Sequence, residues 1–524
     1  MAVLTRARRA AAAALILAVS ACSGPAHGPA TTLSGEPPQL AAALPLPDNA
    51  VADAVARLDG IAEGLMTSSG IPGMAVAVVH GGKTIYAKGF GVRDTHTPDK
   101  VDADTVFQLA SLSKPLAATV VAHQVGVRAV SGWDTPVQAH LPWFALSDPA
   151  VTRMLTVADL FAHRSGLPDH AGDMLEDLGY DRRAVLERLR LLPLTPFRTS
   201  YAYTNFGVTA AAAAVAAAAG TSWEELSEQV LYRPLGMTST SSRFADYQAR
   251  PNKAAGHVLV DGHYAARYTR DADAQAPAGG ASASVNDLTH WLAMVLGGGD
   301  YNGARIVESS ALLEALTPHI VSHPPADPAA RPGFSGNGFH IGTTSAGRME
   351  FSHSGAFAVG AATNFVLIPS ADVAIVALTN AAPTGVAETL TAEFADLVQF
   401  GEIRQDWRRL YAEAFAPSDR PLGELAGTQA PSDAAPPRPL RSYTGTYANS
   451  YWGPAVVTDS GGGLSVSLGP RPQVYPLRHW DGDVFTFELQ GENAPPGSVS
   501  RATFAGDRLT LEYFDDDRMG TFAR

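Results

Sequence analysis

The chain changes character at a proline-rich segment, residues 416–439, whose Pro, Ser, Asp and Ala content is typical of a linker. Upstream of it, residues 388–415 carry apolar side chains at helical spacing and are predicted to form one helix. Downstream of it, apolar and polar residues alternate with a period of two, which indicates β-strands. A length of 524 residues also exceeds what one hydrophobic core usually supports. The sequence therefore predicts a main domain at 51–415, a linker and a small antiparallel β domain at 440–524.

The β domain is expected to consist of short strands joined by turns that contain Gly and Asp. The Leu477-Arg-His479-Trp480 phrase could contact a ligand, although a packing pair at a barrel rim is the more common role of such residues. Six segments alternate: 443–447, 455–457, 464–468, 484–489, 502–504 and 509–513.

Ser111 and Lys114 are three residues apart at the beginning of a predicted helix. Residues at i and i+3 share a helix face, so the Lys114 amine can reach the Ser111 hydroxyl. Pro115 is tolerated only in the first helical turn, which places Ser111 at or just before the helix N-terminus. A neighbouring amine with a lowered pKa can remove the proton of a serine. The pair predicts a nucleophile with its own base, although Ser-x-x-Lys alone also occurs by chance.

A second motif, Tyr203-Thr204-Asn205, precedes an alanine-rich segment at 208–219 that is expected to be a buried core helix. A tyrosine beside a lysine cation is expected to ionise more easily and to transfer a proton to a leaving group. An asparagine amide offers both a donor and an acceptor, which suits it to orient an amide substrate or the lysine.

A third motif, His353-Ser354-Gly355, is followed by an apolar segment that ends at Pro369. The pattern fits the edge of a site on a strand, where glycine admits the close approach of a substrate backbone. Tyr203 and His353 could each be an ordinary core residue. The three motifs in this order favour a shared site.

Together the motifs resemble those of the serine β-lactamase and penicillin-binding-protein superfamily, specifically its class C β-lactamase-like serine hydrolases. The resemblance implies an α+β fold, with an antiparallel sheet from strands near 74–92 and 351–380 and a helical lobe between them. The C-terminal region likewise resembles the lipocalin-like or small β-barrel appendage of many such hydrolases. Further similar segments bring the coverage to about residues 51–400: 71–79, 81–83, 105–111, 160–168, 233–237, 277–280 and 287–288.

The resemblance also implies a role for each residue of the site. Ser111 would be acylated, Lys114 would accept its proton, and Tyr203 would be the general acid and base of the second proton transfer. Asn205 would orient the substrate amide and Lys114. The backbone N–H groups of Ser111 and Ala356 would form the oxyanion hole.

His353 stands where β-lactamases and transpeptidases of the superfamily carry lysine, and with Ser354 and Gly355 it is expected to bind substrate. A lysine is a permanent cation for a substrate carboxylate, whereas a histidine with an ordinary pKa of roughly 6.5 is mostly neutral at pH 7. Histidine at this position resembles the esterase, D-aminopeptidase and peptidase branches. If protonated His353 held a carboxylate, affinity would fall as the pH rises through that pKa.

We therefore expect a serine hydrolase that forms an acyl-enzyme with a small ester, an amide or a D-amino-acid peptide. One alternative is a true class C-type β-lactamase or a D,D-carboxypeptidase. Another is a non-catalytic binding protein of the cell envelope, against which the intact Ser111, Lys114 and Tyr203 argue.

Several other chemistries find no support in the sequence. A Gly-x-Ser-x-Gly elbow is absent, which argues against an α/β-hydrolase. There is no His-Glu-x-x-His, Cys-x-x-Cys, Walker or dinucleotide-binding motif, so neither a metal nor a cofactor is expected. A formal net charge of -13 argues against a nucleic-acid partner.

Residues 1–22 resemble the leader of a bacterial lipoprotein. Arginines near the start precede an apolar run at 10–19 that is too short to span a bilayer. The run ends in Val-Ser-Ala-Cys, in which Cys22 would become lipidated, although a plain secretory signal is the alternative. Cys22 is the only cysteine, so no disulfide is expected. The leader predicts an exported protein anchored in the bacterial membrane by Cys22, facing outside the cytoplasm, with a flexible tether at 23–50.

Overall fold

The computed structural model of the chain describes residues 44–489 and 491–524. The predicted leader with Cys22, and most of the predicted tether, lie outside these residues.

A mostly apolar antiparallel sheet runs through the main region and confirms the predicted α+β fold. Its first hairpin, Gly73–His80 with Lys83–Gly91, pairs with Val373–Thr379, which comes from the far end of the region. Within the described chain the sheet has eight strands, in the order Lys83–Gly91, Gly73–His80, Val373–Thr379, Ala361–Ile368, Met349–Phe357, His340–Thr343, Gly333–Ser335 and Ile320–His323.

The central strands are apolar at nearly every position because both faces of the sheet are covered. One face packs against Leu58–Ser69 and Val386–Phe400, and the other packs against the helical lobe. Successive side chains of a strand point to opposite faces, so alternate residues enter different cores. In Gly73–His80 the two sets are Ala75, Ala77 and Val79 under the lobe, and Met74, Val76 and Val78 under the terminal helices.

The helical lobe occupies the chain between the first hairpin and the later strands. Its central helix, Ser113–Gly126, is buried on almost every side, and the alanine-rich Asn205–Ala219 packs into the same core, as predicted. The other helices of four residues or more are Pro149–Met154, Val157–Phe161, Asp173–Asp177, Arg182–Arg188, Trp223–Ser227, Glu228–Tyr232, Phe244–Ala249, Ala276–Gly280, Val285–Leu296 and Ser309–Ala315.

Short two-residue and three-residue strands complete this region. Each pairs with one partner outside the main sheet. The pairs are Phe107–Gln108 with Ser282–Ala283, Val258–Val260 with His263–Ala265, and Asp300–Tyr301 with Ala304–Arg305.

The segment predicted as one helix at 388–415 forms two helices, Val386–Phe400 and Trp407–Phe415. The break falls at Gly401, whose φ of 73° is in the left-handed region that ends helices and that glycine adopts without strain. Its N–H group donates to the Leu397 carbonyl and completes the last turn. Helical spacing alone did not reveal this stop.

The C-terminal region is an antiparallel barrel, as predicted. Backbone hydrogen bonds in both directions between Ala448 and Ala523 join its first and last strands and nearly close it. Gln473–Asp481 and Thr521–Ala523 were not predicted as strands: the first contains Pro476, and the second is only three residues long. The order in the described chain is Gly445–Tyr447, Ala455–Asp459, Leu464–Leu468, Gln473–Asp481, Val484–Glu488, Val499–Ala505, Arg508–Leu511 and Thr521–Ala523.

The barrel packs directly on the helical lobe. The Tyr180 hydroxyl donates to the Trp452 carbonyl at 2.9 Å, and the Arg188 guanidinium donates to the Tyr451 carbonyl at 3.1 Å. On the barrel itself, the ring of His479 packs edge to face on Phe485.

Among the described residues, no single helix has the length and apolar character needed to cross a membrane. The bent pair Asn205–Ala219 and Trp223–Leu235 meets those two criteria only when its members are taken together.

Candidate active site

Ser111 lies in a short 3₁₀ helix, Ala110–Leu112, that leads directly into Ser113–Gly126. This is the helix-start position that the sequence predicts. Ala110 has a φ of 48°, a left-handed conformation that costs a non-glycine residue on the order of 1–3 kcal/mol. The Ser113 hydroxyl donates to the Ala110 carbonyl at 2.7 Å and holds the strained peptide in place.

Lys114 is fully buried and its amine faces three oxygen atoms. Nζ lies 3.1 Å from Ser111 Oγ, 2.6 Å from Asn205 Oδ1 and 3.0 Å from the Ala278 carbonyl oxygen. Burial lowers the pKa of Lys114 to about 7. A neutral Lys114 can give its two hydrogens to Asn205 and Ala278 and turn its lone pair toward Ser111.

The Tyr203 hydroxyl donates to Ser111 Oγ at 2.7 Å, on the same oxygen that Lys114 approaches. Its ring lies 4.5 Å from Lys114 Nζ and 4.6 Å from the buried ring of His163. The expectation that the lysine eases ionisation of Tyr203 is wrong. Burial raises the pKa of Tyr203, because a phenolate would be poorly solvated there. Tyr203 is therefore a neutral phenol at rest.

Asn205 begins the helix Asn205–Ala219, and its amide is held from both ends. Oδ1 accepts from Lys114, while Nδ2 donates to Asp173 Oδ2 at 2.8 Å. The same oxygen of Asp173 is 2.8 Å from His170 Nδ1, and this contact raises the pKa of His170. A chain of polar contacts thus runs from the amine of Lys114 to a histidine at the cleft.

Gly355 lies beside the nucleophile on the strand Met349–Phe357. A Cβ atom at this position would be 2.3 Å from the Leu109 carbonyl oxygen, 2.4 Å from Thr363 Oγ1 and 3.0 Å from Ser111 N. The site therefore requires glycine here, since any side chain would push the strand away from Ser111. The sequence analysis predicted that a substrate backbone approaches Gly355 closely. In the structure the backbone that lies this close to Gly355 belongs to Leu109 and Ser111.

His353 is buried on the same strand. The hydroxyl of the adjacent Ser354 accepts a hydrogen bond from Asn364 Nδ2. His353 Nδ1 donates to the Ser354 carbonyl at 2.6 Å, and its ring stacks on His340 with ring centres 4.3 Å apart. Burial and the neighbouring His340 and Lys114 hold the pKa of His353 well below its usual range. It stays neutral at pH 7, so a titration of substrate affinity near pH 6.5 is not expected from this group.

A cleft of about 380 Å³ lies where the sheet, the helical lobe and the barrel meet. Of the residues that the sequence singled out, the structure brings the following to its wall: Ser111, Tyr203, Asn205, His353, Ser354 and Ala356. Lys114 and Gly355 lie directly behind Ser111.

Family models match two parts of the chain. Residues 58–400 match the family model described as Beta-lactamase, and residues 429–513 match a domain of unknown function, DUF3471. The chain belongs to the beta-lactamase family. The first match spans the sheet, the helical lobe and every motif of the cleft, and the second covers most of the barrel.

Relatives of this beta-lactamase family member include hydrolases. Unguisins hydrolase ungD' of Aspergillus campestris is 26% identical over 402 residues, which are 74% of this chain and 73% of the relative. Esterase EstB of Burkholderia gladioli is 28% identical over 243 residues, covering 41% of this chain and 62% of the relative.

Solved structures that share the fold include two that cover most of the chain. The octameric penicillin-binding protein homologue from Pyrococcus abyssi has a TM-score of 0.57 at 18% identity, over 90% of this chain and 100% of that one. The structure of SurE with D-Leu has a TM-score of 0.53 at 21% identity, over 90% and 99%.

Within this family framework, the cleft contains residues that the sequence analysis missed. Asp173 and His170 follow the Ser-Gly-Leu-Pro segment closely, and a polar pair in that short loop was the available signal. Arg270 comes from the lobe, while Glu492 and Asn493 come from the barrel. No motif marks these last three positions in the sequence.

Proposed function

We propose that the chain is an extracytoplasmic serine hydrolase that acts through an acyl-enzyme on a small ester, an amide or a D-amino-acid peptide. The observation that carries this proposal is the position of Ser111 Oγ, 3.1 Å from Lys114 Nζ and 2.7 Å from the Tyr203 hydroxyl. Because the pKa of Lys114 is lowered to about 7, the amine is available as a base at neutral pH.

In the first step the neutral Lys114 amine takes the proton of Ser111 as Oγ attacks the substrate carbonyl. The N–H groups of Ser111 and Ala356 are the proposed donors to the developing oxyanion. Tyr203 passes its phenolic proton to the leaving atom, and the nearby Lys114 ammonium supplies the replacement. Water then attacks the ester on Ser111, with the proton transfers reversed, and frees the acid product.

The charges of the cleft support neutral or cationic acyl donors over anionic ones. His353 is neutral where a carboxylate-binding lysine would stand. The guanidinium of Arg270 is already paired with Glu176 and lies 3.7 Å from Asp177. Among the described residues of the cleft, a substrate carboxylate would therefore meet no unpaired lysine or arginine except protonated Lys114, which favours esters and amides over β-lactams.

The proposal is tested by treating the wild-type protein and Ser111→Ala with a fluorophosphonate, a fluorescent penicillin, p-nitrophenyl esters and D-aminoacyl anilides. We expect one fluorophosphonate adduct on the peptide that contains Ser111, turnover of an ester or anilide, and slow reaction with penicillin. Ser111→Ala should show neither adduct nor turnover. Identical behaviour of both proteins with every probe would support the non-catalytic binding protein instead.

We also propose that the protein is a lipoprotein anchored through Cys22 and exposed outside the cytoplasm. The basic, apolar and Val-Ser-Ala-Cys segments of the first 22 residues support it. In a bacterial host, the full chain should enter the membrane fraction and incorporate labelled fatty acid. Cys22→Ser should lose the label, whereas a label retained in that variant would contradict the anchor.

A further inference from the structure

A loop of the barrel reaches into the cleft of the hydrolase region. It connects the strands Val484–Glu488 and Val499–Ala505, and its residues Glu492 and Asn493 line the cavity that contains Ser111. The barrel is therefore a wall of the candidate active site as well as an appendage to the lobe.

Glu492 binds the main chain of the hydrolase region with both carboxylate oxygens. Oε1 accepts from the Ala358 N–H at 2.9 Å, and Oε2 accepts from the Val359 N–H at 3.3 Å. These two residues follow directly after the strand Met349–Phe357. Burial raises the pKa of Glu492 to about 7, and the two N–H groups act against that rise because they stabilise the ionised form. The ionised carboxylate, present above that pH, forms stronger hydrogen bonds to N–H groups than a neutral acceptor does and clamps this turn.

The clamped turn begins two residues after Ala356, the proposed second donor of the oxyanion hole. A donor is effective only when it lies about 2.7–3.1 Å from the position that the oxyanion will occupy. The strand itself pairs with Ala361–Ile368 through Phe357, so the turn is the point at which this part of the sheet reverses. Movement of the turn would be transmitted through Phe357 to Ala356.

Two further hydrogen bonds hold this loop in position at the cleft. Asn493 Nδ2 donates to Asp177 Oδ2 at 2.6 Å, and the Tyr513 hydroxyl donates to the Asn493 carbonyl at 3.0 Å. The guanidinium of Arg270 lies 5.5 Å from the ring centre of Phe357, the last residue of the strand. Lobe, turn and barrel loop thus meet in one polar junction.

We propose that Glu492 is a positioning residue for acyl transfer, which fixes the Ala358 and Val359 turn and through it the Ala356 N–H. The inference rests on the proposed function, because it assigns the barrel a part in that same reaction. It implies that hydrolysis needs the barrel even though the nucleophile, its base and the proton donor all belong to the hydrolase region.

The test uses the full chain with Glu492→Ala and Glu492→Gln. Glu488→Ala is the matched control, because this exposed glutamate lies on the same barrel and its carboxylate contacts Arg478. With the best p-nitrophenyl ester, Glu492→Ala should lower kcat roughly 10- to 100-fold and change KM less than threefold. Glu492→Gln keeps one acceptor oxygen and should be intermediate. Glu488→Ala should match the wild type.

Hydrogen exchange of the peptide that contains residues 356–360 gives a readout that does not depend on activity. Exchange should be faster in Glu492→Ala than in the wild type and unchanged in Glu488→Ala. Unchanged exchange and kcat would overturn the inference, as would a rise in KM alone, which would make Glu492 a substrate contact. If Glu492→Ala fails to fold, Glu492→Gln decides by the same two measurements. Lack of any fluorophosphonate adduct in the wild type would instead defeat the proposed function.

Discussion

Lys114→Met is expected to lower kcat/KM at pH 8 by about 10³-fold, the size of effect that general bases contribute. Methionine is an unbranched side chain that fills most of the space of the buried lysine, but it offers neither a lone pair of comparable basicity nor hydrogens for Asn205 and Ala278. Ester hydrolysis and the second-order rate of fluorophosphonate labelling measure the loss. Lys88→Met is the control, because Lys88 is partly exposed on the edge strand Lys83–Gly91, far from the site, and pairs with Asp59. A variant at position 114 that keeps its activity would contradict the role of base.

The wild-type pH profile should follow the same amine. Since the neutral form is the base, kcat/KM should rise about tenfold per pH unit below pH 7 and level off above it. The charge of Asp173 raises the pKa of Lys114 and so acts against burial. Lys114 also interacts with four histidines and acts to lower the pKa of each: His163, His170, His340 and His353. A profile that is flat from pH 5 to 8 would contradict the assignment.

The same pKa shift has a consequence for stability. In the unfolded chain a lysine holds its proton up to about pH 10.4, whereas folded Lys114 loses it near pH 7. The unfolded state therefore binds more protons in this window, and the free energy of unfolding rises with pH by up to about 1.4 kcal/mol per unit from this group. Urea unfolding at pH 7.5 to 9.5 should show a steeper rise for the wild type than for Lys114→Met.

The core of the site could be predicted from the sequence because its parts are local. Helical spacing joins Ser111 to Lys114, and Pro115 marks the start of their helix. The motifs at Tyr203 and His353 were recognised from their residue types and order, but their placement around Ser111 came from the family resemblance, since a single sequence does not show which strand lies beside which helix. The fold followed in the same way.

The rest of the site depends on burial and on contacts between distant segments. Tyr203 was expected to ionise more easily, but the closed cleft desolvates it and raises its pKa. Glu492 and Ala358 are 134 residues apart, on the barrel and the sheet, with no periodic pattern to connect them. Asp173 lies on the five-residue helix Asp173–Asp177. No local sequence pattern indicates that this helix brings the Asp173 carboxylate to Asn205.

Gly355→Ala is expected to lower kcat by about 10²- to 10³-fold, comparable to the loss of one oxyanion-hole donor. The added methyl group would lie 2.3 Å from the carbonyl oxygen of Leu109 and 3.0 Å from Ser111 N. Backbone atoms cannot rotate away as a flexible side chain can, so the strand and the nucleophile must separate. Because the N–H groups of Ser111 and Ala356 sit on the two sides of this contact, the separation would spoil the proposed oxyanion hole.

Gly342→Ala provides the matched control for this substitution. Gly342 lies on the neighbouring strand His340–Thr343, and a Cβ atom there would have no other atom within 4 Å. It should leave kcat, KM and the urea midpoint near their wild-type values, whereas Gly355→Ala should also lose about 1–3 kcal/mol of stability from overpacking. Wild-type kcat in Gly355→Ala would mean that the strand can shift without disturbing catalysis, and that the oxyanion is held by other donors.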